Sequence, residues 1–338
     1  MILPKNILLS RTDGIGDMAL MLPMAGTLKK NYPNIKIGVL GKPYSKDLVT
    51  ACIYVDEFID EKDFFEKTIT INNEPVDCIV HVRTNKAIAK RAYKINIPKR
   101  IGTSSRLYHW VTCTNLIWLK RKTSNLHEAQ LNIKLLQPIG IKKTASTAEL
   151  SQLFGLKNIE VLLIENSKIL KQKKFNVIIH PGSQGSSRDW PVHHFVSLIN
   201  LLPTTLFNII LTGVQKEQVL IQQIVDGANR PIINWVGQVA LGQFISLVKN
   251  ADALVANATG PVHVAAALGI HTIGLYPPIK PLHPGRWAPL GLQVKVFVHN
   301  KNCIDCKKNK DACACMVAIA PIEVANYLHT LHEAKNID

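Results

Sequence analysis

Short apolar runs alternate with longer segments of helical periodicity in the first half of the chain. An apolar run of three to six residues between turn signals is typical of a buried strand, and apolar positions three and four apart are typical of a helix. The pattern predicts strands at residues 7–9, 35–40, 58–59 and 78–82, and helices at 18–31, 44–52 and 125–137.

The second half repeats this alternation. Strands are predicted at residues 177–180, 207–212, 232–234, 253–256 and 272–275, with helices at 216–225 and 241–250 among them. Strands that alternate with helices favour an α/β fold with a parallel, doubly wound sheet in each half. The alternation loosens between residues 142 and 174. We therefore predict an N-terminal domain at 1–160, a C-terminal domain at 172–320, and a helix with a tail at 321–338.

Composition limits the class of protein. A chain of 338 residues suits two domains, and no apolar run reaches the roughly 18 residues that a membrane span needs. The first residues lack a basic segment ahead of a long apolar one, so no secretory signal is expected. Seven cysteines, an odd number, indicate a reducing compartment. The sequence thus predicts a cytoplasmic protein.

The positive charge is concentrated in one segment. The net charge is +16, and residues 83–122 contain no acidic residue. Such a run is often only a solvated face, but its one-sidedness favours contact with an anionic partner. Its eleven basic residues are Arg83, Lys86, Lys90, Arg91, Lys94, Lys99, Arg100, Arg106, Lys120, Arg121 and Lys122.

The loop after the first predicted strand contains two carboxylates and two glycines. It reads Asp13-Gly14-Ile15-Gly16-Asp17, which is not the GxGxxG of dinucleotide-binding oxidoreductases. Its glycines, Gly16 included, would let a ligand approach the backbone, with Asp13 beside it. Asp17 precedes the next helix, where an N-cap is the alternative role.

A second loop, at residues 180–191, lies between a predicted strand and a predicted helix. That arrangement directs backbone N–H groups and a helix N-terminus at an anion. Ser183, Ser186 and Ser187 add hydroxyl groups, and Arg188 adds a guanidinium fork suited to phosphate oxygens. The alternative is an ordinary βα loop that is rich in Gly and Ser because it turns.

A third loop opens a helix at residues 257–263. Thr259 can cap that helix, Pro261 suits its first turn, and Gly260 lies between them. A helix N-terminus of this kind can hold a diphosphate. The alternative is helix punctuation alone, with His263 as a core histidine.

Four cysteines lie close together near the C-terminus. Cys303, Cys306, Cys313 and Cys315 could hold zinc, although the second pair is spaced C-x-C rather than C-x-x-C. Reduced, partly buried thiols are the alternative.

Taken together and in this order, four motifs resemble those of the family 9 glycosyltransferases, the ADP-heptose:lipopolysaccharide heptosyltransferases. They are RTDGIGDMALMLP, HPGSQGSSRDWP, NATGPVHVAAALG and LYPPIKPLHPGRWAPLG. The resemblance implies a GT-B fold, in which two Rossmann-like domains face each other across a cleft. It assigns the nucleotide sugar to the C-terminal domain and the acceptor to the N-terminal domain. A lipopolysaccharide inner core, with its carboxylates and phosphates, is an acceptor that a basic surface attracts.

The resemblance also implies roles for single residues. Asp17 matches the family's catalytic base, and Arg188 matches the basic residue that contacts the donor phosphates. The serines of residues 180–191 fall in the same loop, and Gly260, Pro261 and His263 match the turn into the donor-binding helix. Many members carry an acid where this chain has Ala258. This departure leaves the transferred sugar open.

The mechanism expected from this resemblance is a single displacement with inversion, for which Asp17 accepts the acceptor's proton. The chain has no Asp-x-Asp motif, so no cofactor is expected and the ADP-sugar is the donor. Peripheral contact with the inner face of the inner membrane is expected, and no contact with nucleic acid. Two alternatives stay open: a sugar-binding protein that transfers nothing, and a transferase for another nucleotide sugar.

Overall fold

The computed structural model describes residues 3–121, 123–238, 240–280, 282–299 and 313–335. The chain divides into two compact units, Met1–Ile159 and Glu160–Asp338. The segment that follows residue 160 belongs to the second unit, where the Gln243 side chain donates to Glu160 and accepts from the Leu163 amide at 3.0 Å.

The first unit is built on a six-stranded parallel sheet of order β3-β2-β1-β6-β7-β8. Its central strand β1 is buried along its whole length, as expected where helices cover both faces of a parallel sheet. A separate short hairpin is formed by β4 and β5. The strands are β1 (Asn6–Ser10), β2 (Lys36–Gly41), β3 (Glu57–Asp60), β4 (Thr70–Ile71), β5 (Glu74–Pro75), β6 (Cys78–His81), β7 (Lys99–Thr103) and β8 (Asn115–Ile117).

The helices of the first unit are shorter than the sequence predicts. The predicted helix at 18–31 is two helices, α1 and α2, with Pro23 in the first turn of the second, where its missing N–H costs no hydrogen bond. The helices are α1 (Ile15–Ala19), α2 (Leu22–Asn31), α3 (Lys46–Thr50), α4 (Glu61–Glu66), α5 (Lys86–Lys94), α6 (Leu107–Thr112), α7 (Glu128–Lys134) and α8 (Thr147–Ser151).

The second unit contains a sheet of the same design, with strand order β11-β10-β9-β12-β13-β14 and parallel pairing throughout. Its strands are β9 (Phe175–His180), β10 (Phe207–Leu211), β11 (Ile233–Asn234), β12 (Ala253–Asn257), β13 (His271–Leu275) and β14 (Val294–Phe297).

The C-terminal helix, which the sequence places outside the second domain, is part of that unit's core. Val324, Leu328 and Leu331 pack in one apolar cluster with Phe175 and Phe207 of the sheet. The helices of this unit are α9 (Ile164–Ser167), α10 (Val192–Leu201), α11 (Gln218–Gly227), α12 (Leu241–Asn250), α13 (Gly260–Leu268), α14 (Pro284–Trp287), α15 (Ala314–Val317) and α16 (Pro321–Lys335).

Each six-stranded sheet has the strand order 3-2-1-4-5-6 of a Rossmann fold, which confirms the predicted pair of doubly wound halves. In such sheets ligands bind outside the carboxyl ends of the strands, at the point where the strand order reverses. That point lies between β1 and β6 in the first unit and between β9 and β12 in the second. In the described part of the chain, no helix is long and apolar enough to cross a membrane.

Candidate functional site

The candidate loops of the first unit meet at its reversal point. β1 and β6 pair in parallel with Ser10 opposite His81, so the segments after them begin side by side. The Ser10 carbonyl accepts from the Arg83 amide at 3.2 Å, which fixes the start of the basic run next to the loop that carries Asp13 and Asp17.

A buried arginine organises the carboxylates of this loop. The Arg11 side chain is 3% exposed, and its Nε donates to Asp13 Oδ1 at 2.8 Å. Its guanidinium also donates to Asp17 Oδ1. Asp17 keeps 28% of its side chain exposed, so the carboxylate is held from one side and open on another. Sequence inspection did not single out Arg11, although it stands inside the RTDGIGD motif.

A second set of polar and charged residues contacts the buried side of Arg11. Glu128, at the start of α7, is 2% exposed and lies 3.6 Å from Arg11. The Arg121 guanidinium pairs with the same carboxylate. Asn132 accepts from Arg11 at 3.4 Å and from Arg121 at 3.2 Å. Asp17 thus belongs to a preorganised group of three carboxylates and two guanidinium groups.

The charges around Asp17 set its proton affinity. Burial raises the pKa of Asp17, the Arg11 guanidinium opposes that rise, and the carboxylates of Asp13 and Glu128 add to it; the net shift is upward. Burial alone would lower the pKa of Arg11, but its three carboxylate neighbours raise it, so Arg11 stays charged. A carboxylate with a raised pKa is a better proton acceptor near neutral pH than an ordinary aspartate.

Asp17 is not a helix cap. The N-cap of α1 is Gly14, no side chain caps the helix, and Asp17 is the third helical residue, with Gly16 buried beside it. A β-carbon on Gly14 would lie 3.6 Å from Asp17 Oδ2, so the glycine leaves space in front of the oxygen that Arg11 does not hold. The structure contradicts the cap alternative and leaves the carboxylate placed to meet a ligand.

The candidate loops of the second unit also lie at the reversal point of their sheet, between β9 and β12. β9 and β12 pair with His180 opposite Ala256, so residues 180–191 and 257–263 leave the sheet together. Gln184 and Gly185 at the tip of the first loop have positive φ angles of 49° and 76°. Ser183 and Ser187 are buried, whereas Ser186 is exposed and donates to the Ser183 carbonyl at 2.7 Å.

One amide side chain joins these two loops. Asn257, at the end of β12, is fully buried, and its Nδ2 donates to the Pro181 carbonyl at 2.6 Å. Its Oδ1 accepts from the Trp190 amide at 3.0 Å. Trp190 is itself buried and donates from its indole to the Ile319 carbonyl at 2.9 Å. Arg188 is therefore carried on a loop that is fastened at both ends.

Two helices of this unit begin at the same edge without a side-chain cap. Thr259 is the N-cap residue of α13, yet its hydroxyl donates to the Asn257 carbonyl at 3.2 Å and caps nothing. α10 begins after Pro191, and no side chain caps it. Gly260 and Pro261 open α13, and His263 is buried within it. The first N–H groups of a helix without a side-chain cap can bind an anion.

A buried glutamate that sequence inspection did not identify underlies the first loop. Glu217 is 7% exposed and accepts from the Val214 amide at 2.9 Å. It lies 3.8 Å from His180, and burial raises its pKa. Burial also lowers the pKa of His180 to about 4, so the imidazole is neutral near pH 7. The isolated Glu217 in a polar stretch gave no sequence signal.

The zinc hypothesis stays a prediction. Cys303 and Cys306 lie outside the described residues, and Cys313 and Cys315 are buried in the apolar core of the second unit. Among the residues that the structure describes, no group of three His, Cys, Asp or Glu side chains could hold a metal ion.

Part of the basic run serves the fold. Arg91 donates to the Phe64 and Lys67 carbonyls at 3.3 Å, and Arg100 donates to the Thr112 carbonyl at 2.6 Å. The Lys99 side chain donates to the Pro138 carbonyl, and Arg121 pairs with Glu128. Lys122 is outside the described residues. The exposed remainder comprises Arg83, Lys86, Lys90, Lys94, Arg106 and Lys120.

Three comparisons place this architecture among known proteins. A Haemophilus influenzae protein named as a candidate glycosyltransferase is 26% identical over 302 residues, which is 85% of this chain and 86% of that protein. Lipooligosaccharide heptosyltransferase 2 of the same organism is 21% identical, over 82% of this chain and 84% of its own. The solved structure of Escherichia coli ADP-heptose LPS heptosyltransferase II superposes with a TM-score of 0.77 at 20% identity, covering 98% of this chain and 99% of that one.

The structural likeness confirms the predicted GT-B fold. The model of glycosyltransferase family 9 (heptosyltransferase) matches residues 92–317, about two thirds of the chain. That match includes both loops of the second unit and much of the basic run. The chain is an enzyme of glycosyltransferase family 9, the heptosyltransferase family.

Proposed function

We propose that this enzyme transfers heptose from ADP-heptose to the lipopolysaccharide inner core or a related acidic glycolipid, at the cytoplasmic face of the inner membrane. The observation that carries the proposal is the partly exposed carboxylate of Asp17, held by Arg11 at the reversal point of the first sheet. The names of the relatives supply the sugar and the acceptor class.

In the proposed reaction, an acceptor hydroxyl attacks the anomeric carbon of the donor while the bond from that carbon to the diphosphate oxygen breaks. The configuration inverts because one displacement occurs. Asp17 Oδ2 accepts the hydroxyl proton, and general-base assistance of this kind contributes about 10²- to 10⁴-fold. Arg11 keeps the other oxygen occupied, which orients the carboxylate.

The second unit would hold the leaving ADP. Its diphosphate gains negative charge as the bond breaks, and prepositioned donors that face this charge lower the barrier. Arg188 supplies a fixed positive charge, and the N-termini of α10 and α13 supply uncapped N–H groups. No step in this scheme requires a cofactor.

Donor profiling tests the proposal. The enzyme is incubated with a deacylated inner-core acceptor and, in turn, ADP-heptose and other nucleotide sugars, and products are detected by mass spectrometry. We expect a mass increase of one heptose and stoichiometric ADP release with ADP-heptose. A higher product yield from another nucleotide sugar would reassign the donor. This outcome is of interest because the chain has Ala258 where many members of the family carry an acid. Saturable ADP-heptose binding with no transfer to any acceptor would identify a sugar-binding protein instead.

A further inference from the structure

The first unit exposes an unusual amount of apolar surface on one short helix and the strand beside it. Leu107 and Val111 on α6 are 87% and 72% exposed, and Trp110 is 61% exposed. Trp118, directly after β8, is 70% exposed. We call these four residues the α6–β8 patch. Scattered exposed apolar residues are ordinary, but a contiguous group that includes two tryptophans marks an interaction surface.

The geometry shows that the patch is one surface. Leu107, Trp110 and Val111 are spaced three and four residues apart and therefore share a face of α6. The Trp110 indole donates to the Ser104 carbonyl at 3.0 Å, and the Ser104 amide donates to the Ile117 carbonyl at 3.0 Å. Ile117 is the residue before Trp118, so these hydrogen bonds link the Trp110 side chain to the backbone next to Trp118.

Exposed cations surround the patch. Arg106 and Lys120 are exposed, and the Lys120 ammonium lies 5.5 Å from the centre of the Trp118 ring. On α5, which packs against α6, the exposed Lys86, Lys90 and Lys94 are spaced four residues apart on one face. No acidic residue occurs between residues 83 and 122.

The patch also stands near the proposed base. β7 and β8 are two and three positions from β1 in the sheet, and the patch follows their carboxyl ends, as Asp17 follows that of β1. Neighbouring strands are about 4.8 Å apart, so the carboxyl ends of β7 and β8 lie roughly 10–14 Å from that of β1 along the same edge. An acceptor held in a surface at the patch would have its polar head within reach of Asp17.

We infer that the α6–β8 patch docks on an anionic phospholipid bilayer, with the two indoles at headgroup depth and the cations on lipid phosphates. Tryptophan concentrates at membrane–water interfaces, and basic residues beside an apolar face bind anionic leaflets. Self-association through a two-fold axis is disfavoured, because it would oppose the same cations on both copies. The inference deepens the proposed function and rests on it for the choice of a lipid surface.

Vesicle co-sedimentation of the full chain tests the inference. Wild-type protein is mixed with vesicles of phosphatidylglycerol and phosphatidylethanolamine, or of phosphatidylcholine alone. We expect binding to the anionic vesicles, at least about tenfold weaker binding to the neutral ones, and a blue shift of tryptophan emission on binding. Absence of binding by the wild-type protein to anionic vesicles would overturn the inference.

Two double variants separate the apolar and the electrostatic contributions to vesicle binding. Leu107→Gln with Val111→Gln should weaken binding about tenfold or more, since both side chains lose their apolar contact with the bilayer. Arg106→Glu with Lys120→Glu should weaken it as much, with a loss that shrinks in salt. The matched controls are Val219→Gln with Leu292→Gln, exposed by 73% and 84% on the second unit, and Lys168→Glu with Lys216→Glu. Equal losses in the controls would contradict a localised surface.

A parallel assay separates this inference from the proposed function. With a deacylated, water-soluble acceptor, Leu107→Gln with Val111→Gln and both control variants should transfer sugar at the wild-type rate. Vesicle binding that depends on the patch, without transfer, would leave the surface standing and remove the proposed reaction. Transfer without vesicle binding would support the proposed reaction and overturn the inference about the patch. If Leu107→Gln with Val111→Gln instead converts a dimer to a monomer and leaves vesicle binding unchanged, the patch is a protein interface and the inference is wrong.

Discussion

The two units have the same strand order but different chemistry where that order reverses. In the first unit the loop after β1 holds ion pairs between buried Arg11 and the carboxylates of Asp13 and Asp17. In the second unit the loop after β9 is held by the two hydrogen bonds that Asn257 shares with main-chain groups, one donated and one accepted. We propose that the first arrangement tunes a proton acceptor and that the second offers donors to an anion. In this proposal the shared topology gives the position of each ligand site, and the side chains give its chemistry.

The largest test of this contrast removes the carboxylate of the first unit. Asp17→Asn should lower turnover at least about a hundredfold, because the amide cannot accept the proton. The dissociation constant for ADP, measured by calorimetry, should stay near that of the wild type. Turnover close to the wild-type rate would show that another group is the base, with Asp13 the next to examine.

The corresponding test in the second unit concerns Arg188. Charge-assisted hydrogen bonds contribute about 1.5–3 kcal/mol, so Arg188→Ala should weaken ADP binding roughly ten- to a hundredfold. The ADP affinity of Arg188→Lys should lie between those of the wild type and Arg188→Ala, because lysine keeps the charge and loses the planar fork. Added Mg²⁺ should rescue neither variant. Lys216→Ala, exposed on the same unit, is the control and should bind ADP normally. A folded Arg188→Ala protein with wild-type affinity for ADP would contradict the phosphate-loop assignment.

A third test asks whether the hydrogen bonds of Asn257 hold the donor loops. Asn257→Ala leaves the Trp190 amide and the Pro181 carbonyl without their partner, and a buried polar group left in this way costs about 1–3 kcal/mol. We expect a lower free energy of unfolding and weaker ADP binding. Thr330→Ala, which removes an exposed hydroxyl donor from α16, should change neither. Unaltered unfolding in denaturant would show that the loops are held by other contacts.

A smaller, signed effect is expected in the pH profile. The Asp13 carboxylate raises the pKa of Asp17. Asp13→Asn should therefore lower that pKa, and the acid limb of kcat/KM should move to lower pH. Arg11→Lys loses the fork that stabilises the Asp17 anion, so its limb should move to higher pH. If the acid limb moved in the same direction in both variants, its assignment to Asp17 would be contradicted.

The smallest change concerns access to the base. The φ angle of Gly14 is −56°, which alanine adopts without strain. Its methyl group would stand 3.6 Å from Asp17 Oδ2. Gly14→Ala should raise the acceptor KM and leave ADP affinity and the unfolding midpoint unchanged. An unchanged acceptor KM would place the acceptor on another side of the carboxylate.

The sequence predicted the parts of the fold that rest on apolar runs. β9, β10 and β13 are such runs, and their positions are confirmed to within two residues. β7 was missed because it begins with Lys99 and Arg100, whose side chains reach carbonyl groups rather than solvent. The terminal helix α16 was assigned outside the domain because its short sequence does not show which sheet it packs against.

The candidate site also has a part that the sequence predicted and a part that it did not. The loops were found because Gly, Ser and Asp cluster after predicted strands. Arg11, the partner of Asp17, was not singled out although it stands in the same motif, because its burial and its contact with Asn132, 121 positions along the chain, arise only in the fold. Glu128 and Glu217 gave no sequence signal for a related reason, since burial makes them important and burial depends on tertiary structure.

Asn257 also bears on how this family can diversify. Loops that follow strands ordinarily tolerate insertions, and changes in loop length are a common evolutionary route to new specificity. Here one amide binds the loops after β9 and β12 together, so a change in the length of either displaces the other. New donor preferences are then expected to arise by side-chain replacement at fixed length. Ala258, the neighbour of Asn257, is a position where we expect such a replacement to change the choice of sugar.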